Sequence, residues 1–275
     1  GLLATYKGSM YRLNVDEGTF TLVQQVCEGC QVRSWSGGEL AAFELMDGGG
    51  QKSIQAGDNR IDISAAAVNW SPDGMKFEHT LQVFDGSALQ ELGKLRGHAS
   101  TPNYVFAWSP DGMRAVTGSE DKPGEIAWSV QDVRSGEELL RLQPLPTADA
   151  ANARALAWSW DGKWIAGSMD FSATGETVGH TAVALWDAES GNLLHLIEPA
   201  GVLEITSLAF SPDGKWIAAR ESPDAVTVIS TDDYFPRYRS VTRIFANAVI
   251  AWSPDSTSIA VTSEEVVHIY AVPAE

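Results

Sequence analysis

Short apolar runs separated by short polar segments fill this chain, and the clearest pair flanks residues 159–162. An apolar run ends at Trp158, a polar segment that contains Asp161 and Gly162 follows, and a second apolar run begins at Trp164. In such a segment an aspartate accepts hydrogen bonds within the turn and a glycine supplies a positive φ. The pattern predicts a β-hairpin in which the aspartate has a structural rather than a catalytic role.

The hairpin recurs along the chain, in three copies with the wording Ser-Pro-Asp-Gly between the two apolar runs. The aromatic residue that ends the first run stands at positions 35, 70, 108, 158, 210 and 252. The intervals of 35, 38, 50, 52 and 42 residues bracket the ~40–45 residues of a four-stranded propeller blade. A third apolar run, such as 181–187, and a polar turn before a fourth, such as 193–197, complete the unit. The repeat predicts an all-β propeller of four-stranded antiparallel blades.

Two dipeptides give the repeat a family resemblance. Trp186-Asp187 resembles the dipeptide that names the WD-repeat family, and Gly97-His98 resembles its Gly-His dipeptide. The Ser-Pro-Asp-Gly wording is also shared by TolB-like bacterial propellers. The resemblance covers essentially the whole chain.

One blade is similar to the WD family in a further way. Its residues His98, Thr117, Asp121 and Trp128 follow the order of the family's hydrogen-bonded tetrad. In the family that tetrad locks the blade and performs no chemistry. The resemblance therefore implies a structural role for these four side chains.

Counting strands a to d from the inside of each blade predicts seven blades. Residues 2–6 and 9–15 resemble strands b and c without a strand a before them, and 258–262 and 266–270 resemble b and c without a strand d after them. We therefore expect a single propeller domain over 1–275 with an incomplete first blade, and about 15–30 further residues before Gly1 that close the ring. Six complete blades are the alternative.

The charge of the chain narrows the class of partner. Nineteen Lys and Arg against 36 Asp and Glu give a net charge of −17, which disfavours nucleic acid and anionic membranes because both need a positive surface. No segment approaches the ~18 apolar residues of a membrane span. A protein partner with a basic surface fits this charge, and the two could belong to a larger complex. The negative charge is also explained by its contribution to solubility alone.

Cys27 and Cys30 are the only cysteines and form a Cys-x-x-Cys pair. Haem attachment would need a histidine where Gln31 stands. Zinc would need two further ligands that no second cysteine pair supplies. A local disulfide and two reduced thiols remain as alternatives, and neither a metal nor a cofactor is predicted. A disulfide would favour an oxidising, extracytoplasmic compartment, with the cytoplasm as the alternative.

The connections d–a and b–c of a propeller gather at one end of the blades, and there the chain has its longest polar segments. These are 26–31, 144–154 and the segment from Asp170 to His180, in which Phe171 and Glu176 are further candidate contact residues. Long loops of this kind often carry function. We therefore expect the binding surface at this end of the blades, and a structural role for the short Pro-Asp-Gly turns at the other end. Trp160 replaces the turn proline and is the tryptophan predicted to be exposed.

The sequence favours a non-catalytic scaffold for protein–protein interaction. No Gly-x-Ser-x-Gly, His-Glu-x-x-His or phosphate-binding motif occurs in the chain. One alternative is the propeller domain of a larger hydrolase or peptidase. Another is a TolB-like component of an envelope or extracellular assembly.

Overall fold

The structure is a computed structural model, and the account below concerns the residues that it describes. These are 2–6, 9–14, 19–26, 28, 31–35, 42–64, 68–96, 105–122, 125–144, 150–171, 180–198, 204–221, 225–241, 250–262 and 267–272. Within these ranges the regular elements are all β-strands. The described residues include no helix that could cross a membrane.

Contacts divide the chain into two compact units, residues 1–95 with 133–135 and residues 96–132 with 136–275. The predicted single domain over 1–275 stays a prediction.

The first unit contains three antiparallel sheets, each with its strands in chain order. The first sheet consists of β1 (Leu2–Tyr6), β2 (Ser9–Asn14) and β3 (Thr19–Gln25). The second consists of β4 (Gln31–Trp35), β5 (Ala42–Met46), β6 (Lys52–Ala56) and β7 (Asn59–Ile63). The third consists of β8 (Asn69–Trp70), β9 (Lys76–His79), β10 (Gln82–Asp85) and β11 (Glu91–Lys94).

The strands of the second unit form four more antiparallel sheets in the same manner. The first consists of β12 (Phe106–Trp108), β13 (Arg114–Lys122), β14 (Glu125–Asp132) and β15 (Glu138–Arg141). The second consists of β16 (Ala150–Trp158), β17 (Trp164–Phe171), β18 (His180–Asp187) and β19 (Leu193–Ile197). The third consists of β20 (Ile205–Phe210), β21 (Trp216–Glu221), β22 (Ala225–Ser230) and β23 (Pro236–Val241). The last consists of β24 (Ile250–Trp252), β25 (Ser258–Thr262) and β26 (Val267–Ala271).

The repeated aromatic residue marks the end of the first strand of a sheet in all six copies, as the sequence predicts. The strands β4, β8, β12, β16, β20 and β24 end at residues 35, 70, 108, 158, 210 and 252. The described strands thus confirm an all-β fold of antiparallel blades. The first and last sheets have three strands each, in agreement with the strand count above. The number of blades, seven or six, stays a prediction.

The cores of the second unit lie between successive sheets. One cluster joins Val116 and Trp128 of the sheet β12–β15 to Ile165 and Trp186 of the next sheet. Two further clusters repeat this arrangement between the sheets β16–β19 and β20–β23 and between β20–β23 and β24–β26. The sheets β16–β19 and β20–β23 therefore pack against a neighbour on both faces, and all six side chains of β22 are buried.

The structure corrects the predicted lengths of two loops. Asp170 and Phe171 belong to β17 and pair with Thr181 and His180 of β18, so the predicted loop from Asp170 to His180 is wrong at both ends. The first strand β16 likewise extends back to Ala150, although 144–154 was predicted as loop. In both places backbone pairing continues past polar side chains, because the ladder of a β-sheet does not depend on side-chain polarity.

Candidate functional site

The turn that joins the first two strands of a sheet is built by its serine and aspartate. In the sheet β16–β19 the Ser159 hydroxyl donates to Asp161 Oδ1 at 2.7 Å and accepts from the backbone N–H of Trp164 at 2.9 Å. The Gly162 N–H donates to the Ser159 carbonyl at 2.9 Å. The same three bonds hold the turns that begin at Ser71, Ser109, Ser211 and Ser253. The aspartates therefore fix the turns, as the sequence predicts.

One of these turns has serine where the others have glycine. The residue in that position has φ of +77° at Gly162 and +62° at Ser256, and a side chain in this left-handed region costs about 1 kcal/mol. The Ser256 hydroxyl offsets part of that cost because it accepts a bond from the Asp213 N–H of the neighbouring turn at 3.1 Å. The departure from glycine thus links two turns.

The turn between the third and fourth strands lies at the same end of the sheet as the first turn. In the sheet β16–β19 the Ala188 N–H donates to the Lys163 carbonyl at 2.8 Å, and in β20–β23 the Thr231 N–H donates to the Lys215 carbonyl at 2.9 Å. The Asp187 carboxylate holds this second turn, since its Oδ1 accepts from the Ser190 hydroxyl at 2.7 Å. Each of these two sheets therefore presents both turns as one hydrogen-bonded pair.

Neighbouring sheets of the second unit bring their turns into contact. A side chain built on Gly162 would meet Pro110 Cγ at 3.6 Å, and one on Gly214 would meet Asp161 Oδ2 at 3.9 Å. We call this end of the second unit the turn surface, and it consists of residues 109–114, 159–164, 187–192, 211–216, 230–235 and 253–258.

The turn surface is acidic. Its six turns carry eight acidic and three basic side chains. The acidic ones are Asp111, Asp161, Asp187, Glu189, Asp213, Asp232, Asp233 and Asp255, and the basic ones are Arg114, Lys163 and Lys215. The structure thus concentrates negative charge at one end of these sheets.

Hydrogen bonds keep these aspartates ionised. Burial raises the pKa of Asp161, but bonds from Lys163 and Ser159 outweigh it, and the pKa lies below its ordinary value of 3.8. The Ser190 hydroxyl lowers the pKa of Asp187, and the hydroxyls of Ser253 and Thr257 lower that of Asp255 to about 2. Asp111, Asp213 and Asp233 are also shifted downward. These carboxylates are therefore anions at neutral pH.

We expect acid to destabilise the protein through these carboxylates. Each folded-state pKa lies below the unfolded value of 3.8, so its stabilising contribution is complete above that value and is lost as the pH falls through the folded pKa. For Asp255 this window runs from 3.8 to about 2. Urea titrations between pH ~7 and ~2 should give a constant unfolding free energy at the upper end and a falling one below about pH 5.

Asp255→Asn removes one of these titrating groups. The variant should show a shallower fall of the unfolding free energy in the window between pH 3.8 and about 2. A fall as steep as that of the unmutated protein would contradict the assignment of Asp255.

Large apolar side chains are exposed beside the acidic groups. On the turn surface Met113 is 61% exposed, Trp160 is 55% exposed and Phe235 is 64% exposed. The prediction that Trp160 is exposed is confirmed. An acidic surface with exposed apolar side chains is suited to contacts with a protein.

Two charged networks lie away from the turns, and the sequence reading missed both. Arg154 Nη1 lies 2.7 Å from Glu204 Oε1, and Arg220, which is 4% exposed, donates to Thr206 Oγ1 at 2.6 Å. Burial lowers the pKa of Arg220, and the charge of Glu204 opposes that shift.

In the second network Arg239 pairs with the buried Glu221 at 2.8 Å, and the Thr227 hydroxyl donates to the same carboxylate. These partners satisfy charges that burial would otherwise disfavour. The described residues contain no group of three or more His, Cys, Asp and Glu side chains placed to hold a metal ion.

Comparison with known proteins agrees with this geometry. Residues 89–122 and 195–230 match the family described as WD domain, G-beta repeat. The chain is also similar to a chain in the crystal structure of a mitotic checkpoint complex, with a TM-score of 0.66 and 19% identity over 99% of this chain and 87% of the other. Two segments of the chain thus match WD repeats, and the chain shares the β-propeller fold.

The comparisons identify the fold of the propeller rather than an activity. In all, 1278 chains of solved structures match it, and propellers of this kind carry many functions. No curated protein matches the sequence. WD-repeat propellers typically mediate protein–protein interaction.

The predicted tetrad of the propeller lies only partly within the described residues. Thr117 on β13 and Trp128 on β14 are buried, and the Thr117 hydroxyl has no hydrogen-bond partner among the residues that the structure describes. His98 and the side chain of Asp121 lie outside the described part. The tetrad therefore stays a prediction.

The side chain of Gln131 in the same sheet makes two long-range hydrogen bonds that the sequence analysis does not predict. Gln131 is 1% exposed; its Oε1 accepts from the Arg96 N–H at 2.7 Å and its Nε2 donates to the Arg96 carbonyl at 2.9 Å. Gln131 precedes Asp132 as Trp186 precedes Asp187. Alignment of the copies to each other would have singled it out.

The remaining predicted site residues stay predictions. Cys27 and Cys30 lie outside the described residues, as does Glu176. The backbones of Asp170, Phe171 and His180 are paired in β17 and β18, but their side chains are not described. The structure thus shortens the candidate loop to 172–179 and does not test its role.

Proposed function

We propose that this propeller is a non-catalytic scaffold that binds a protein partner with a basic surface. The observation that carries the proposal is the turn surface, where eight acidic side chains outnumber three basic ones and stand beside exposed apolar groups. Opposite charge on a partner would steer its approach and fix its orientation. The apolar groups would supply the contact area.

The rigidity of the turns supports this role. Each serine–aspartate turn is closed by its own hydrogen bonds, and adjacent turns are linked, as between Asp213 and Ser256. A surface that is ordered before binding loses little conformational entropy when a partner docks. The regular turns that stabilise the propeller therefore also make it a suitable binding platform.

The sequence favours the loops at the other end of the blades as the binding surface, and the loop candidate remains in the proposal as a second contact. Asp170 and Phe171 lie at the end of β17 that is remote from the first turn, because that strand begins at Trp164. With Glu176 and His180 they would present a contact at the other end of the same sheet. A scaffold with two binding ends could join two partners in a larger complex.

Charge reversal tests the turn surface. Glu189 and Asp232 are exposed turn residues whose side chains make none of the bonds described above. Proteins captured on the full chain at low salt are purified, and the dissociation constant of each is measured at low and high salt. We expect Glu189→Lys with Asp232→Lys to weaken binding about tenfold and to reduce its salt dependence.

A second variant distinguishes binding at the turn surface from binding at the loop, which lies at the other end of the sheet. Residues 172–179 are replaced by a short turn, which leaves the turn surface intact. Unaltered affinity in the charge-reversal variant for every partner would refute the role of the turn surface, and unaltered affinity in the loop variant would refute that of the loop.

A further inference from the structure

Trp160 departs from the internal repeat of this chain. The residue between the serine and the aspartate of the turn is proline in four copies and tryptophan in one. The proline copies are Pro72, Pro110, Pro212 and Pro254. Because the chain itself supplies four versions of the turn, the tryptophan can be judged against them.

The turn does not need this tryptophan. Ser159, Asp161 and Gly162 make the same hydrogen bonds as their counterparts in the proline copies, with Ser159 Oγ to Asp161 Oδ1 at 2.7 Å against 2.5 to 2.6 Å elsewhere. The backbone N–H of Trp160 donates no hydrogen bond within the described part of the chain. Proline would therefore fit here as it does in the other turns.

The Trp160 indole differs from other tryptophans of the second unit in lacking an internal role. Trp158 donates its indole N–H to the Gly162 carbonyl, and Trp252 donates to the Ala209 carbonyl. Both of these rings are at least partly buried. Trp160 is 55% exposed. An exposed indole that neither packs in the core nor closes the turn is available to a ligand.

Carboxylates in the turn of Trp160 and in the adjoining turn favour a cation as the ligand. Asp161 follows it directly in the chain, and its pKa lies below the ordinary value. Asp111 belongs to the turn whose Pro110 lies against Gly162, and its pKa is lowered as well. A guanidinium or ammonium group binds to the face of an indole and pairs with carboxylates beside it.

The neighbouring tryptophan provides an internal example of such a contact. Arg114 Cζ lies 5.2 Å from the centroid of the Trp158 ring. The chain thus already pairs one indole of this sheet with an arginine of the preceding turn. Lys163, the basic residue in the turn of Trp160, is paired with Asp161 at 2.8 Å.

We propose that Trp160 is the anchor at which the turn surface binds an arginine or lysine side chain from a basic segment of a protein partner. This inference rests on the proposed function and names the residue that would contribute most of the binding energy. Tryptophan and arginine pairs of this kind are frequent among the residues that carry most of the energy of an interface.

Trp160→Pro is the most informative variant because it places proline at this position, as in the other four turns. The intact protein is labelled with ¹⁵N at its ten indoles, and the signal missing in Trp160→Pro identifies that of Trp160. A short peptide of alternating glycine and arginine is titrated at low salt, with serine and glutamate peptides of the same length as matched probes. Leu194→Ala, which removes an exposed side chain of β19 outside the turn surface, is the control.

We expect the arginine peptide to shift the Trp160 signal, and the other peptides to leave it in place. Trp160→Pro should bind the arginine peptide about fivefold to tenfold more weakly, whereas Leu194→Ala should bind it as the unmutated protein does. An unchanged melting temperature of Trp160→Pro shows that the turn has been preserved.

Two contrary outcomes have different meanings. Equal affinity of Trp160→Pro and the unmutated protein, with Glu189→Lys and Asp232→Lys still weakening binding, overturns the anchor and retains the acidic scaffold. Failure of the arginine peptide to bind at all, or an equal shift of the Trp160 signal by the serine peptide, overturns both.

Discussion

Gly191→Ala is expected to lower the free energy of unfolding by about 3 kcal/mol, because two separate costs meet at this residue. Its φ of +74° lies in the left-handed region, where a side chain costs about 1 kcal/mol. The added Cβ would also lie 2.6 Å from the Arg141 carbonyl oxygen and 3.2 Å from the Leu140 side chain. These atoms belong to the outer strand of the adjacent sheet, so the close approach of two sheets depends on the missing side chain.

The steric cost cannot be relieved cheaply. The Gly191 carbonyl accepts from the Gln143 N–H at 2.8 Å, and its own N–H donates to the Asp187 carbonyl at 2.9 Å. The turn and the outer strand are therefore tied together on both sides of the new Cβ. Movement that relieves the overlap would lengthen these bonds.

Gly214→Ala is the matched control. Its φ of +75° is nearly the same, but the nearest atom to the added Cβ is Asp161 Oδ2 at 3.9 Å. We expect a loss of about 1 kcal/mol from the backbone alone. Urea unfolding followed by circular dichroism gives both values, and similar losses for the two variants would show that the contact with Arg141 has no energetic weight.

The sequence predicts the inner hairpins well because their signals are local. Serine, aspartate and glycine of one turn satisfy each other within a few residues, as Ser159, Asp161 and Gly162 do. The apolar run before such a turn must end where the turn begins. For this reason the strand ending at each repeated aromatic residue can be placed from the sequence alone.

Contacts between sheets leave no such local signal. Gln131 bonds to Arg96, which is 35 residues away, and Gln143 accepts from Trp186, which is 43 residues away. The local sequence around Gln131 does not predict that its side chain is buried, because the group to which it bonds is distant in the chain. For the same reason the sequence does not reveal that Glu221 is buried and paired with Arg239, since charged residues are rarely buried without a partner.

The candidate site likewise has one property that a local sequence signal predicts and another that depends on packing between sheets. The exposure of Trp160 follows from its place in a turn, and the sequence predicts it. The acidic character of the whole turn surface does not follow from any one turn, because a single turn carries only one or two carboxylates. Packing of sheet on sheet brings the turns together, as the contact between Pro110 and Gly162 shows, and only then do separate charges act as one surface.

Trp186→Ala is expected to destabilise the protein by about 4 kcal/mol, in the range of large aromatic truncations in cores. The ring is 0% exposed and packs in the cluster that joins two sheets, with Trp128 and Val130 on one side and Ile165 on the other. Its removal would leave a cavity between the sheets. Because close-packed β-strands relax little, the cavity would remain largely open.

The indole N–H of Trp186 also stabilises the protein through a hydrogen bond, and Trp186→Phe measures the contribution of that bond. Nε1 donates to the Gln143 carbonyl at 2.9 Å, and Gln143 Oε1 in turn accepts from the Leu193 N–H at 3.1 Å. Phenylalanine keeps most of the apolar contact but leaves that carbonyl without its donor, so we expect a loss of about 1–2 kcal/mol. Trp160→Ala, which truncates an exposed tryptophan, should change the unfolding free energy by less than about 0.5 kcal/mol. A Trp186→Ala loss no larger than that of Trp160→Ala would show that the two sheets are held together by contacts other than this ring.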